Sequence, residues 1–146
     1  MKVRELMTQD PATVDSGATL GEVATLMKQQ DCGSIPVVED GRLVGIVTDR
    51  DIVIRAVAAG KDPKTLRVNE VMSADPVTVG PNESIKDAEK VMADRQIRRL
   101  PVVDDGKLVG ILVTAQIART ENERTTGQTL KEISAPASGR GSHARG

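Results

Sequence analysis

The chain has 146 residues, of which 38% are hydrophobic and 28% charged, and a chain of this kind forms one compact domain or two tightly packed halves with a buried core. A net charge of −1 gives no general reason to bind nucleic acid. The N-terminus lacks the apolar run of a signal peptide and no stretch could span a bilayer, so we expect a cytoplasmic protein without membrane contact. Phe, Tyr and Trp are absent, so the core is aliphatic and no aromatic ring can stack on a ligand.

The sequence repeats itself without a gap when residue 3 is set against residue 68. The matched pairs include Met7 with Met72, Asp10-Pro11 with Asp75-Pro76, Pro36-Val37-Val38 with Pro101-Val102-Val103, and Leu43-Val44-Gly45-Ile46 with Leu108-Val109-Gly110-Ile111. A match of this length indicates two copies of one supersecondary unit.

Both copies predict the same order of elements: strand, helix, strand, strand, helix. In the first copy these are a strand at Ala12–Val14, a helix behind the capping pair Thr19 and Glu22, a hairpin around Asp40-Gly41, and a helix at about Asp49–Ala59. In the second copy they are a strand at Val77–Val79, a helix behind Ser84 and Asp87, a hairpin around Asp105-Gly106, and a helix at about Thr114–Arg124. Asx-Gly pairs favour tight hairpin turns, and Ser or Thr three residues before an acidic residue favours a helix start.

One such unit leaves a sheet face uncovered, so we expect the two units to pack face to face with pseudo-two-fold symmetry in an α/β (α+β) fold. The predicted parts are repeat 1 with its linker at 1–66, repeat 2 at 67–126, and an end at 127–146. In that end, Thr129–Ser134 is expected to form a helical turn, and Ala137–Gly146 is expected to be disordered.

The order of elements and the string Gly45-Ile46-Val47-Thr48-Asp49-Arg50-Asp51-Ile52 resemble a CBS domain pair, also called a Bateman module. The resemblance covers about Val3 to Arg119. The stretch from Thr48 through the linker at Pro63 further resembles small stand-alone CBS-pair proteins, which include the bacterial hypoxic response type. The resemblance implies an adenosine compound (AMP, ADP or ATP, or else S-adenosylmethionine or NAD) bound between the repeats. It also implies a homodimer formed through helices and the regulation of another, unidentified protein.

The resemblance implies that Asp51 accepts hydrogen bonds from both ribose hydroxyls and that Thr48 touches ribose or phosphate. A carboxylate suits this role because it is an acceptor-only group with two oxygens. The plainer interpretation is a capping box, in which Thr48 caps the following helix and Asp51 sits at its third position. The two interpretations coexist, because capping geometry would aim both side chains at the cleft.

The second copy departs from this pattern, with Val113 in place of Thr48 and Gln116 in place of Asp51. Val donates no hydrogen bond, and Gln is a poor substitute for a carboxylate that binds a diol. Thr114 could take over the helix cap. We therefore expect at most one strong nucleotide site per chain.

The resemblance also implies supporting contacts to the ligand. Arg98 and Arg99 stand where the family often has basic residues that reach phosphates, and Arg50 also matches a family position that is often basic. The alternative for Arg98 and Arg99 is a solvated pair at a strand entrance. Thr13 and Val14 would border the adenine through their backbone, and Ile35 with Pro36 would supply aliphatic walls while also serving as core.

The residue inventory argues against an enzyme or a metal protein. The single histidine, His143, lies in the C-terminal tail, and Cys32 has no histidine partner and matches Ile97, so a small buried hydrophobe is the better interpretation. No zinc-type cluster is present and no cofactor is required, although magnesium would accompany a bound ATP. The leading hypothesis is a nucleotide-sensing regulatory module. The alternatives are a ligand-free dimerisation and docking scaffold, or a module for S-adenosylmethionine or NAD.

Overall fold

The computed structural model describes residues 1–133, and its two repeats contain the predicted elements in the predicted order, except that the strand predicted at Val77–Val79 is reduced to a single bridge. The first repeat consists of a 3-10 turn at Val3–Glu5, β1 (Thr8–Gln9), β2 (Val14–Asp15), α1 (Leu20–Gln30), β3 (Ser34–Glu39), β4 (Arg42–Thr48) and α2 (Asp49–Ile52), which continues as a π-helix at Val53–Val57. The second consists of a 3-10 turn at Val68–Glu70, β5 (Ser73–Ala74), α3 (Ile85–Arg95), β6 (Arg99–Asp104), β7 (Lys107–Val113) and α4 (Thr114–Ile133). The mixed α/β architecture of two tandem units is therefore confirmed.

Several elements differ in their bounds from the sequence-based expectation. The strand after each Asp-Pro pair is shorter than predicted: the first repeat has only Val14–Asp15, and the second only a single bridge between Val79 and Val102. The last helix does not stop near Arg124 but runs unbroken to Ile133, because no proline interrupts it. The predicted turn at Thr129 is part of this helix up to Ile133, and the predicted tail at Ala137–Gly146 lies outside the described residues.

The predicted caps and hairpins form as expected. The Thr19 hydroxyl accepts from the Glu22 N–H at 3.3 Å, and the Ser84 hydroxyl accepts from the Asp87 N–H at 3.1 Å. Both residues of each Asx-Gly turn have positive φ, 50° and 78° in the first hairpin and 52° and 80° in the second, as a two-residue hairpin turn requires.

The two hairpins join at their turns to form one sheet in the described part of the chain. The central strand order is β1-β7-β4-β3-β2, with β5 on β4 and β6 on β7. Strands β4 and β7 run antiparallel and pair only at Arg42 and Lys107. From this junction they run in opposite directions, so the end of β4 at Thr48 and the end of β7 at Val113 lie at opposite ends of the ribbon.

The first residues of each repeat pair with the other repeat. We call these stretches, residues 3–9 and 68–74, the crossing segments. In the first, β1 pairs with β7, and the Val3 N–H donates to the Glu83 carbonyl at 2.8 Å. In the second, β5 pairs with β4, and the Val68 N–H donates to the Ala18 carbonyl at 2.8 Å. The exchange is reciprocal, and it ties the two repeats together at both ends.

The exchange also distributes the two hydrophobic cores across the repeats. The first core contains Leu66, Val68 and Val71 together with side chains of α1, β3 and β4, and the second contains Val3 together with side chains of α3, β6 and β7. A division of the chain at residue 66 follows the sequence repeat, whereas each core takes residues from both sides of that division.

Candidate functional site

The candidate site in the first repeat lies where β4 ends and α2 begins. Thr48 pairs with Ser34 at the start of β3, and the Asp49 N–H donates to the Gly33 carbonyl at 2.9 Å. This bond holds the first residue of α2 against the strand entrance. The chain therefore turns from strand to helix at a fixed place, and the side chains on either side of the turn are fixed with it.

Thr48 and Asp51 form a complete capping box at this turn. The Thr48 hydroxyl accepts from the Asp51 N–H at 3.1 Å, and the Asp51 Oδ2 accepts from the Thr48 N–H at 3.0 Å. The Asp51 side chain is 13% exposed. The structural interpretation of the pair is thus confirmed, and it leaves the second carboxylate oxygen, Oδ1, outside the box.

The predicted adenine-side residues belong to the same repeat. Val14 pairs with Val37 in the parallel β2–β3 pair and packs against the first core, and Thr13 directly precedes it. Ile35 is 1% exposed, and its neighbour Pro36 is buried as well. Their core role is therefore evident, while their role as walls of a ligand pocket stays a prediction.

The three predicted basic residues do not gather at one place: Arg50 follows Thr48 in α2, whereas Arg98 and Arg99 lie at the entrance of β6. Arg50 is exposed on α2. Arg98 is exposed just before β6, and Arg99, which is partly buried, pairs with Val113. The ladder thus places Arg98 and Arg99 at the end of the β4–β7 ribbon opposite Thr48. The Arg99 Nε is buried and has no hydrogen-bond partner within residues 1–133. A phosphate role for these residues stays a prediction.

The second repeat builds the same turn with different chemistry. The N–H and the hydroxyl of Thr114 both donate to the Arg98 carbonyl, at 2.9 Å and 3.3 Å. The Thr114 hydroxyl thus donates to the residue just before β6, whereas the Thr48 hydroxyl accepts from the helix that it caps. Val113 and Gln116 stand where the first repeat has its capping box. The expectation of at most one strong site per chain is untested and follows from these substitutions.

One residue beside the predicted set was missed. The Arg55 Nη1 lies 3.8 Å from the Asp51 Oδ1 and donates to the Val71 carbonyl at 2.7 Å. Arg55 follows Asp51 by four residues, a spacing at which opposite charges meet on a helix. The sequence shows that spacing. It does not show that Arg55 also reaches a carbonyl of the second crossing segment, because that contact joins residues distant in the chain.

Comparison with known proteins identifies the family. The CBS domain family model matches residues 3–57 and 68–121. The chain belongs to the CBS domain family. The two matched stretches are the two repeats, so the protein contains a CBS domain pair, and proteins of this family are in general regulatory.

Bacterial relatives match this chain over nearly the whole length of both proteins. The chain is 47% identical over 90% of its length to the CBS domain-containing protein YhcV of Bacillus subtilis, covering 94% of that protein. It is 39% identical over 91% of its length to Hypoxic response protein 1 of Mycobacterium tuberculosis, again covering 94%. The resemblance to the hypoxic response type is thereby confirmed.

Solved structures share the fold and some contain ligands. Hypoxic Response Protein I with two coordinated zinc ions matches 82% of this chain and 98% of that one, with a TM-score of 0.76 and 39% identity. CBSX2 in complex with AMP matches 85% and 98%, with a TM-score of 0.74 and 27% identity. The CBS domain pair of MJ0100 in complex with 5'-methylthioadenosine and S-adenosyl-L-methionine matches 85% and 98%, with a TM-score of 0.74 and 28% identity.

Clusters of potential metal ligands and membrane-spanning helices are both absent from the described residues. Nowhere in residues 1–133 do three His, Cys, Asp or Glu side chains gather in a group that could hold a metal ion. Over the same residues, no helix combines the length and the apolar character needed to cross a membrane.

Proposed function

We propose that this CBS pair is a regulatory module that binds an adenosine nucleotide (AMP, ADP or ATP) in the cleft beside Thr48 and Asp51. The observation that carries the proposal is the capping box: it holds a mostly buried carboxylate at the strand-to-helix turn. A carboxylate held there can accept hydrogen bonds from two neighbouring hydroxyls. The AMP bound to CBSX2 and the adenosine compounds bound to MJ0100 support this ligand class.

The regulatory effect would come from differential binding. The second crossing segment pairs with β4, the strand that leads into the site. A ligand at Asp51 shifts the packing of the repeats only as far as it binds one arrangement more tightly than another. A ligand-linked change would therefore pass to whatever protein contacts the module.

We further propose that the module acts as a homodimer through the helices of the first repeat. Val53, Ile54 and Val57 are 53%, 55% and 62% exposed. At the equivalent positions the second repeat has Ala118, Arg119 and Asn122. An apolar face on one repeat only is the kind of surface that a symmetric dimer buries.

Isothermal titration calorimetry with AMP, ATP and S-adenosylmethionine tests the ligand proposal. Wild type should bind one of them with a Kd of about 1 µM to 1 mM. Asp51→Ala should weaken binding at least about tenfold, since a hydrogen bond to a charged group is lost. Asp51→Asn, which keeps an oxygen acceptor for the Thr48 N–H, separates loss of charge from loss of the cap.

Ser84→Ala is the matched control, because it removes a cap of the same kind from α3, at a cost of about 1 kcal/mol of stability. Its ligand affinity should equal that of wild type. Unchanged affinity in both Asp51 variants would refute the site.

A second candidate function is favoured by a specific observation. Both oxygens of Asp51 already have neighbours, the Thr48 N–H and the Arg55 guanidinium, so the motif also makes sense as a purely structural turn. In that case the module is a ligand-free scaffold for dimerisation and docking. Absence of heat with all three ligands, with magnesium present, would favour this function.

A further inference from the structure

The Arg55 guanidinium lies between the candidate ligand carboxylate and the second crossing segment. Its Nη1 donates to the Val71 carbonyl at 2.7 Å and approaches the Met72 carbonyl at 3.4 Å. The same nitrogen is 3.8 Å from the Asp51 Oδ1. One cation thus faces three oxygens, of which only Oδ1 belongs to a side chain.

The geometry leaves Asp51 able to bind a ligand while it is held. Its Oδ2 accepts from the Thr48 N–H, and Oδ1 lies at ion-pair distance from Arg55, beyond hydrogen-bonding distance. A carboxylate oxygen has two lone pairs, so Oδ1 keeps acceptor capacity for a hydroxyl. Arg55 is 50% exposed, and solvent screening makes such a pair worth little as attraction alone. With Oδ2 held by the Thr48 N–H, Arg55 faces the one oxygen, Oδ1, that is left for a ligand.

The second repeat serves as an internal comparison. At the positions equivalent to Asp51 and Arg55 it has Gln116 and Thr120, so the carboxylate and the arginine are absent together. The first crossing segment nevertheless pairs with β7 there. An arginine at this position is thus unnecessary for the crossing itself.

The backbone around Arg55 is also specific to the first repeat. Arg55 is the middle residue of the π-helix Val53–Val57, where the Ala58 N–H donates to the Val53 carbonyl at 2.8 Å. The equivalent residues of the second repeat lie in the continuous helix α4. Single π-turns of this kind occur frequently at functional sites.

We propose that Arg55 is a positioning residue for Asp51: it holds the carboxylate in the orientation that accepts ribose hydroxyls and anchors it to the crossing segment of the other repeat. This inference rests on the proposed nucleotide function. It adds a residue that determines how strictly the site requires a ribose, and it provides a direct connection from the ligand to the crossing segment.

The test compares AMP with 2'-deoxy-AMP by calorimetry on wild type, Arg55→Thr and Arg55→Lys. Wild type should prefer AMP about tenfold or more, as expected for a hydrogen bond to a charged acceptor. Arg55→Thr, which introduces the residue of the second repeat, should reduce this preference to less than about threefold. Arg55→Lys should restore part of it, because the charge is kept and the carbonyl bonds are weakened. Arg119→Thr, the same change at an exposed site in α4, should keep the wild-type preference.

The ratio of the affinities for AMP and 2'-deoxy-AMP distinguishes a role in positioning Asp51 from general destabilisation of the protein. Equal weakening of both nucleotides in Arg55→Thr, with the ratio kept, would overturn the inference and leave Arg55 as a structural clamp. In that case loss of binding in Asp51→Ala would still support the proposed function. If wild type binds neither nucleotide, the proposed function for AMP fails and the inference fails with it. Circular dichroism spectra of the variants verify folding, and Arg55→Lys provides the test if Arg55→Thr does not fold.

Discussion

At the residue scale, the same side chain often satisfies a local requirement and a functional one. The Thr48–Asp51 capping box satisfies N–H groups that a helix start leaves unpaired. This local requirement holds one carboxylate oxygen of Asp51, Oδ2, at the turn and leaves Oδ1 outside the box, facing Arg55. The presence of a cap is therefore compatible with ligand binding, and only measurements on variants separate the two roles.

Gly45 and Gly110 show a second residue-scale requirement, close approach of a crossing segment. A Cβ on Gly110 would lie 2.5 Å from the Met7 Sδ and 2.9 Å from the Thr8 carbonyl oxygen. A Cβ on Gly45 would meet Met72 and Ser73 at the same two distances. Real Cβ atoms do not approach so closely, so these glycines allow each crossing segment to lie on the other repeat.

We expect Gly110→Ala to destabilise the protein by about 1–3 kcal/mol, because the backbone of the first crossing segment has to move. For a chain of this size that corresponds to a fall in Tm of roughly 3–10 °C, measured by circular dichroism. Gly80→Ala is the control, since a Cβ there would meet the Glu83 Oε2 at an ordinary 3.5 Å. Equal Tm changes in the two variants would contradict the close-approach argument.

At the element scale, the helices of the two repeats differ in polarity where the two helices of each repeat face one another. In the second repeat, Glu89 on α3 and Glu121 on α4 line a groove of about 300 Å³. Burial raises the pKa of the Glu89 carboxyl, and so does the neighbouring Glu121 carboxyl, while Lys86 opposes them. The Glu89 Oε1 is buried and has no hydrogen-bond partner in the described part of the chain. The first repeat has Ala24 and Ala56 at these positions.

The sign of the resulting pH effect follows from proton linkage. A carboxyl whose pKa is higher in the folded state binds more protons there than in the unfolded chain, so its contribution to stability falls as pH rises above the ordinary carboxyl range. We expect Glu89→Gln to stabilise the protein at pH 7 by on the order of 0.5 kcal/mol, through loss of like-charge repulsion and of a buried charge.

Thermal unfolding followed by circular dichroism between pH 4 and pH 8 measures this effect. The advantage of Glu89→Gln over wild type should shrink toward pH 4, where Glu89 becomes protonated. Glu123→Gln, at an exposed position on α4, should show no such pH-dependent gain. A Glu89→Gln difference that is constant across this range would contradict the linkage.

At the scale of the whole molecule, the reciprocal exchange of crossing segments makes the two repeats one folding unit. Each core includes buried residues from the opposite half of the chain, such as Val3 in the second core and Val68 in the first. Neither repeat can complete its core without the other, so we regard the pair as the smallest stable unit. The site in the first repeat is therefore held partly by residues of the second.

The proposed homodimer gives the prediction for this scale. Ile54→Arg with Val57→Asn introduces the residues that the second repeat has at the equivalent positions. Loss of two apolar contacts should weaken association by roughly 2–4 kcal/mol. Size-exclusion chromatography with light scattering should then report the 15.5 kDa chain in place of the dimer. Arg119→Thr, at the position equivalent to Ile54, should remain dimeric. A dimer unaffected by the double substitution would refute this interface.

The sequence predicted the fold in most respects, because its signals are local. Helix caps at Thr19 and Ser84, Asx-Gly turns and helical spacing of apolar residues depend on neighbours within a few residues. The repeat added the long-range information that two like units are present. It did not reveal the π-helix at Val53–Val57, since no residue type marks one.

What the sequence by itself determined is the unit, its order of elements and the pair Thr48 and Asp51, all of which depend on residues close together in the chain. The tertiary structure alone decided which residues meet across the repeats. It placed the second crossing segment over β4, brought the Val71 carbonyl to Arg55, and set Arg98 and Arg99 at the end of the ribbon opposite Thr48. The reason is physical: these contacts join residues distant in the chain, and they follow from how two complete cores pack.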